Sequence, residues 1–175
     1  MSKAVLISIR PQWCQKIASA EKTIEVRKTR PKLETPFKCY IYCTLPKYPH
    51  EDFIATDYPM PQFYGGGKVV GEFTCDRIYE LAPLNHAPDD VEKQACLTRE
   101  EIVNYLKGTG HGWHITDLLI YDHPRELTEF RRATDPCDSC HAEYTWECTD
   151  CKKLGGDIKR PPQSWCYVEA MKDGN

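Results

Sequence analysis

No apolar run in this sequence approaches the roughly 20 residues that a bilayer-spanning helix needs, which excludes a helical membrane protein. Basic excess is also missing. Lys and Arg number 23 against 26 Asp and Glu, the net charge is −3 and the pI about 6.1. Global charge therefore does not point to nucleic acid, and any such partner must be held by a local patch. There is no internal repeat and no low-complexity tract. The apolar run that follows Met1 is too short for a secretory signal core and no cleavage pattern follows it, so a cytoplasmic chain is expected.

What is present suits one compact domain. Over 175 residues, 41% are hydrophobic and 28% charged, ordinary values for a globular chain with a real core. Residues 1–175 are read as a single domain.

Ten cysteines stand in the chain. Six of them (Cys14, Cys39, Cys43, Cys75, Cys96 and Cys166) are scattered, several in apolar runs, where a free thiol behaves as a small hydrophobe. The other four form Cys137-Asp-Ser-Cys140 and Cys148-Thr-Asp-Cys151, two C-x-x-C pairs seven residues apart. In a reducing compartment such a cluster reads as metal rather than disulfide. Two pairs complete the tetrahedron that zinc accepts, with no position left open, so the expected role of Zn2+ is structural. Segment 137–151 is thus expected to be a zinc knuckle whose folding energy comes from the metal. His141 adjoins it and reads as a surface residue.

Hydrophobic periodicity gives the elements. Ala4–Ile9 reads as a strand and Pro11 opens a short amphipathic helix reaching Ala20. Thr23–Arg27 alternates, Ile24 and Val26 one way and Thr23, Glu25 and Arg27 the other. Phe37–Thr44 is a strand with Phe37, Cys39, Ile41 and Cys43 on one face and Tyr40 and Tyr42 on the other. A long loop spans 45–67. Lys68–Cys75 is a strand that can continue to Leu81, and 82–97 reads as irregular. Thr98-Arg-Glu-Glu101 is a capping box starting a helix that runs to Lys107 with Ile102, Val103 and Leu106 inward, ended by Gly108. Trp113–Tyr121 is a strand, Pro124–Phe130 a short helix, and Ser164–Ala170 a last strand. About six strands with a few short helices that do not alternate with them argue for an α+β fold. A small mixed β-barrel is expected, since closure removes exposed edges.

The segment from Lys22 to Lys28 concentrates charge of both signs. Arg27 offers a fork for phosphate or a base edge and Lys22 a point charge, with Lys28, Arg30 and Lys32 following. Read blandly, it is a solvated strand with an exposed Glu25–Arg27 pair of little energetic weight. Trp13 suits stacking on a base as well as core packing with Ile17. Trp113 and Trp165 read as core. His111 and His114 are candidates for an acid or base, though isolated histidines on a strand are more often ordinary polar positions.

Ser8-Ile-Arg-Pro11, the short helix, and Lys22-Thr-Ile-Glu-Val-Arg27 together resemble the opening of the ASCH family, a branch of the PUA-like superfamily, in its phage and Firmicute-type form. Gly71-Glu72-Phe73 and Pro161-Pro-Gln-Ser-Trp-Cys-Tyr-Val168 fit the same pattern. The knuckle is an addition to the minimal core. The resemblance implies a PUA-like barrel with a cleft beside the first helix and the Lys22–Arg27 strand, where RNA or a modified nucleotide binds through Trp13, Lys22, Thr23, Glu25, Arg27 and Lys28. It also implies an alternative, a small hydrolase (nucleoside amidohydrolase or ribonuclease) working through Lys22 and Glu25. The amidohydrolase pattern places a Thr nucleophile where this chain has Glu25, and its distal Glu would fall near Glu92 or Gln94. A third reading is a protein-interaction module acting through the knuckle.

Overall fold

The computed structural model describes residues 2–53, 64–81, 86–133 and 156–171. The four clustered cysteines and residues 54–63 of the 45–67 loop lie outside the described residues.

Ten strands and three α-helices occur among the described residues. A mixed seven-stranded sheet is built on β1 (Lys3–Ile9), which lies between β3 (Phe37–Cys43), parallel to it, and β10 (Trp165–Glu169), antiparallel. Beyond β3 come β4 (Val69–Cys75) and then β7 (Thr116–Arg125); beyond β10 come the short β8 (Arg131–Arg132) and β9 (Gly156–Asp157). A second sheet has three antiparallel strands, with β6 (His111–His114) between β2 (Ile24–Arg27) and β5 (Ile78–Glu80). The helices are α1 (Pro11–Ala18), α2 (Val91–Ala95) and α3 (Arg99–Leu106).

The fold is α+β as expected, but the barrel is not closed. The stretch expected to be one strand, Trp113–Tyr121, breaks around Ile115, and Asp117 takes a left-handed φ of 47°. Its first half pairs with β2 and β5 and its second half with β4. The 68–81 stretch divides in the same way at Asp76 and Arg77, giving β4 to one sheet and β5 to the other. Each break turns the chain from one sheet into the next. At the β4–β7 seam the backbones approach closely: a Cβ on Gly71 would lie 2.5 Å from the Leu119 carbonyl oxygen.

Three apolar clusters fill the interior. Alternation along β1 and β3 sends Val5, Ile7, Ile9, Cys39, Ile41 and Cys43 to one face, where Ile17 of α1, Phe73 and Trp113 join them. The other face packs Ala4, Leu6, Tyr40 and Tyr42 against Phe130 and Ile158. A third cluster lies between β2 and the α2–α3 pair, with Ile24, Val26, Leu81, Val91, Ile102 and Leu106. Trp113 is fully buried, its ring edge-on to Phe37 at 6.0 Å, and Trp165 packs at the margin of the first cluster.

Several local expectations are corrected. Helix α1 stops at Ala18, and Ala20 has a φ of 58°. Residues 91–95, expected to be irregular, form α2, whose Val91 and Ala95 are drawn onto β2 by burial. Pro124 and Arg125 extend β7, and only Leu127–Glu129 is helical, as a 3-10 turn. Val103 points out, 54% exposed, because Ile102 and Leu106, four apart, already fill the face that packs. The capping box forms as read: Glu101 N donates to Thr98 Oγ1 at 3.2 Å, and Thr98 N donates to Glu101 Oε2 at 2.8 Å.

Candidate functional site: a cleft over a buried ion cluster

Strand β2 is buried on both faces, against the bland reading of a solvated strand. Ile24 and Val26 enter the third cluster, while Glu25 and Arg27 turn the other way and remain 6% and 7% exposed. Lys22, just before the strand, is 2% exposed. Buried charge of this kind persists only when paired and hydrogen-bonded, and here it is. Arg27 donates from Nε and Nη2 to Glu25 Oε1 at 3.0 and 2.9 Å, from Nη2 to the Ser8 carbonyl at 2.6 Å, and from Nη1 to Ser164 Oγ at 3.2 Å. Lys22 Nζ donates to the carbonyls of Ile24 and Ala95 at 2.8 and 2.7 Å and stands 3.5 Å from Glu25 Oε2. One carboxylate between two cations leaves a net positive charge in a chain whose total is negative.

This cluster floors a cleft of about 380 Å3. Trp13, from α1, forms part of its wall. Half-buried, it packs against the main core and also lines the cleft, with Lys22 Nζ 5.1 Å from its ring centroid. Arg10, Gln163, Glu101 and Tyr105 complete the rim, and Ser8 and Thr44 line it from the main sheet. Lys28 is exposed and lies over the Tyr105 ring at 5.4 Å, so it approaches the rim through that ring.

The structure thus brings Trp13, Lys22, Glu25 and Arg27 together. It does not put Thr23 among the lining residues: β2 begins one residue later, and the Thr23 hydroxyl donates to Gln94 Oε1 at 3.2 Å. His111 and His114 do not line the cleft either. His114 Nδ1 is 2.7 Å from Asp76 Oδ1, and the His111 ring is held below its usual protonation range by burial first and Arg30 second. Arg30 and Lys32 are exposed beyond the strand. Among the residues not singled out from sequence are Ser8, Arg10, Tyr105, Gln163 and Ser164. Four of these stand inside the two motifs that carry the family resemblance, which was the available signal; Tyr105 had none.

Among the described residues no group of three or more His, Cys, Asp or Glu side chains is arranged to hold a metal. No helix of the described residues is long and apolar enough to cross a membrane.

No protein-family model matches the sequence, and no curated protein matches it. Solved structures do. The chain is similar to ASCH from Zymomonas mobilis, with a TM-score of 0.59 and 17% identity over 95% of this chain and 87% of that one. A Tyr-to-Phe mutant of the same ZmASCH protein gives a TM-score of 0.60 at 17% identity, covering 96% and 91% of the two chains. Its Ser-to-Ala mutant gives 0.59 at 17%, covering 95% and 88%. The chain has the ASCH fold. At this identity the likeness is one of architecture, and ASCH structures of nearly the same length account for almost the whole chain.

Proposed function

We propose that this chain is an ASCH-family module that binds RNA or a nucleotide in the cleft beside β2. The observation that carries the reading is the pairing of a half-buried Trp13 wall with the net-positive Lys22–Glu25–Arg27 floor. An aromatic face and a desolvated positive site suit a base and its backbone, and stacking contributes about 1–3 kcal/mol per base. Lys22, Glu25 and Arg27 form the charged floor, Trp13 is the stacking surface, Arg10 and Lys28 serve the phosphates from outside, and Thr23 contributes only by fixing α2 through Gln94.

The geometry favours binding over hydrolysis by Lys22. A general base must present a free lone pair to the proton it takes. Lys22 Nζ is committed to two carbonyl oxygens and faces a carboxylate, the surroundings of an ammonium ion. The test is incubation of the pure protein with nucleosides, acylated nucleosides and short RNAs, following both binding and products. Saturable binding without product is expected. Product that disappears in Lys22→Ala would make the chain a hydrolase, and an absence of binding to all of them would overturn the reading.

The proposal extends to a structural zinc on Cys137, Cys140, Cys148 and Cys151. Two facts support it. Of the other six cysteines, five are buried free thiols and Cys96 is half-buried, so packing accounts for them and leaves only the clustered four for a metal. The strands on either side of the segment, β8 and β9, pair antiparallel as Arg131↔Asp157 and Arg132↔Gly156, which brings its two ends together. Zinc would supply the cross-link that the short segment cannot obtain from a core.

A further inference from the structure

The cations of the cleft floor have few hydrogen-bond donors left for a ligand. All three nitrogens of Arg27 are engaged by Glu25, Ser8 and Ser164. Lys22 is held by two carbonyls, and the Ser8 hydroxyl donates to the Pro162 carbonyl at 2.6 Å. A phosphate pushed to the floor would find charge but almost no N–H to meet it. What the floor does present is an acceptor. Glu25 Oε1 takes the Arg27 hydrogens, whereas Oε2 receives no hydrogen bond among the described residues and has only Lys22 Nζ at 3.5 Å. Glu25 is 6% exposed and lines the cleft. A carboxylate oxygen of a mostly buried residue, open to the cleft in that state, favours an N–H donor. The free donors are at the rim, where Arg10 is exposed and its guanidinium makes no hydrogen bond or ion pair among the described residues.

We infer that the cleft takes a nucleobase carrying an exocyclic amine, with the amine inward on Glu25 Oε2 and the phosphate outward at Arg10. This rests on the nucleotide reading of the same cleft. Cytosine, adenine and guanine carry such an amine. Uracil turns carbonyl oxygens on the same edge, and these face a carboxylate unfavourably.

The experiment compares ligands that differ by the amine alone. Calorimetry on the full chain would measure cytidine monophosphate against 2-pyrimidinone riboside monophosphate, and adenosine monophosphate against purine riboside monophosphate. A hydrogen bond to a charged group corresponds to a loss of about 10-fold to 100-fold in affinity when it is removed. Equal affinity within either pair would overturn the inference while leaving nucleotide binding intact. If neither pair binds at all, the inference falls, and the reading beneath it falls with it only where short RNAs also fail to bind. In the second arm, Arg10→Ala should weaken the nucleotides and leave the unphosphorylated nucleosides unchanged. Equal weakening of nucleoside and nucleotide would overturn the outward placement of the phosphate. Glu25→Gln, where it folds, should narrow the difference between the paired ligands.

Discussion

Arg27 Nη2, on β2, donates to the carbonyl oxygen of Ser8, on β1, across 2.6 Å. The two strands belong to different sheets, and the backbone partner recorded for β2 is β6. The same guanidinium reaches Ser164, just before β10. One side chain therefore ties the small sheet to the centre of the large one, and it forms part of the cleft floor at the same time.

Removing that tie leaves a buried carboxylate with half its partners and a buried carbonyl with none from Arg27. Arg27→Met, close in length, is expected to lower stability by about 3–5 kcal/mol, the usual cost of breaking a buried ion pair from one side. Arg27→Lys should recover little, because an ammonium cannot span Glu25, Ser8 and Ser164 together. Urea unfolding measures both. An Arg27→Met midpoint equal to wild type would show that the cluster does not join the sheets.

Trp13 separates binding from folding more cleanly. It is only half-buried, and Leu can keep much of its contact with the core. Trp13→Leu is expected to stay folded by circular dichroism and to bind a short RNA more weakly by about fivefold or more, the low end of one stacked base. Undiminished binding would remove Trp13 from the site and return it to packing alone.

The sequence displays these features unevenly, for physical reasons. Alternation along 37–43 and the Thr98–Glu101 box are local signals, and each is found where it was read. The Lys22–Arg27 charges were visible too, but their burial was not, because α2 and the Pro161–Ser164 segment come from far along the chain. The sheet breaks near Ile115 and Asp76 are tertiary: apolar residues continue through both, and nothing in the period marks the change of partner. Helix α2 is five residues long, below the length at which helical periodicity becomes evident.

The thiols of the core should be hard to alkylate. Burial pushes Cys14 and Cys39 well above the usual thiol range, and burial, with smaller and opposing electrostatic effects, takes Cys75 to about 12. The thiolate is the nucleophile, so these three should resist iodoacetamide at pH 8 in the native chain. Cys96 is half-buried, outside the main core, and should label first of the six cysteines away from the cluster. Peptide mass spectrometry after brief labelling reads the order, and early modification of Cys39 or Cys75 would contradict the core described here.

The capping box carries a pH signature. Backbone donation from Thr98, with help from its hydroxyl, holds the Glu101 carboxyl below its usual range. A depressed folded-state value means that the unfolded chain binds more protons as pH falls. The contribution of Glu101 is therefore complete above the ordinary carboxylate range and is lost as pH drops through the lowered folded value. Glu101→Gln removes the carboxylate and keeps the Glu101 N–H donation to the Thr98 hydroxyl, so its destabilising effect should be present at neutral pH and shrink progressively in acid, as the wild type loses the same charge. A Glu101→Gln penalty that stays constant from pH 7 to pH 3 would dissociate the carboxylate from the stability of α3.

Metal removal tests the proposed zinc segment. The three apolar clusters found among the described residues are built on the strands and helices of the two sheets. Their packing should therefore survive loss of zinc. The purified chain should contain a single tightly held zinc, and Cys140→Ser should lower its affinity sharply, because four thiolates complete the coordination shell. A strong chelator should release the zinc and expose these four thiols to alkylation. The near-ultraviolet signal of the buried Trp113 should persist. Since β8 and β9 join the ends of the segment, slower exchange of the Arg131 and Arg132 amides in the zinc-bound state is the expected local effect. Collapse of the Trp113 signal on chelation would mean that the metal holds the whole fold, and a chain isolated without metal under zinc-replete conditions would remove the zinc site from the proposal.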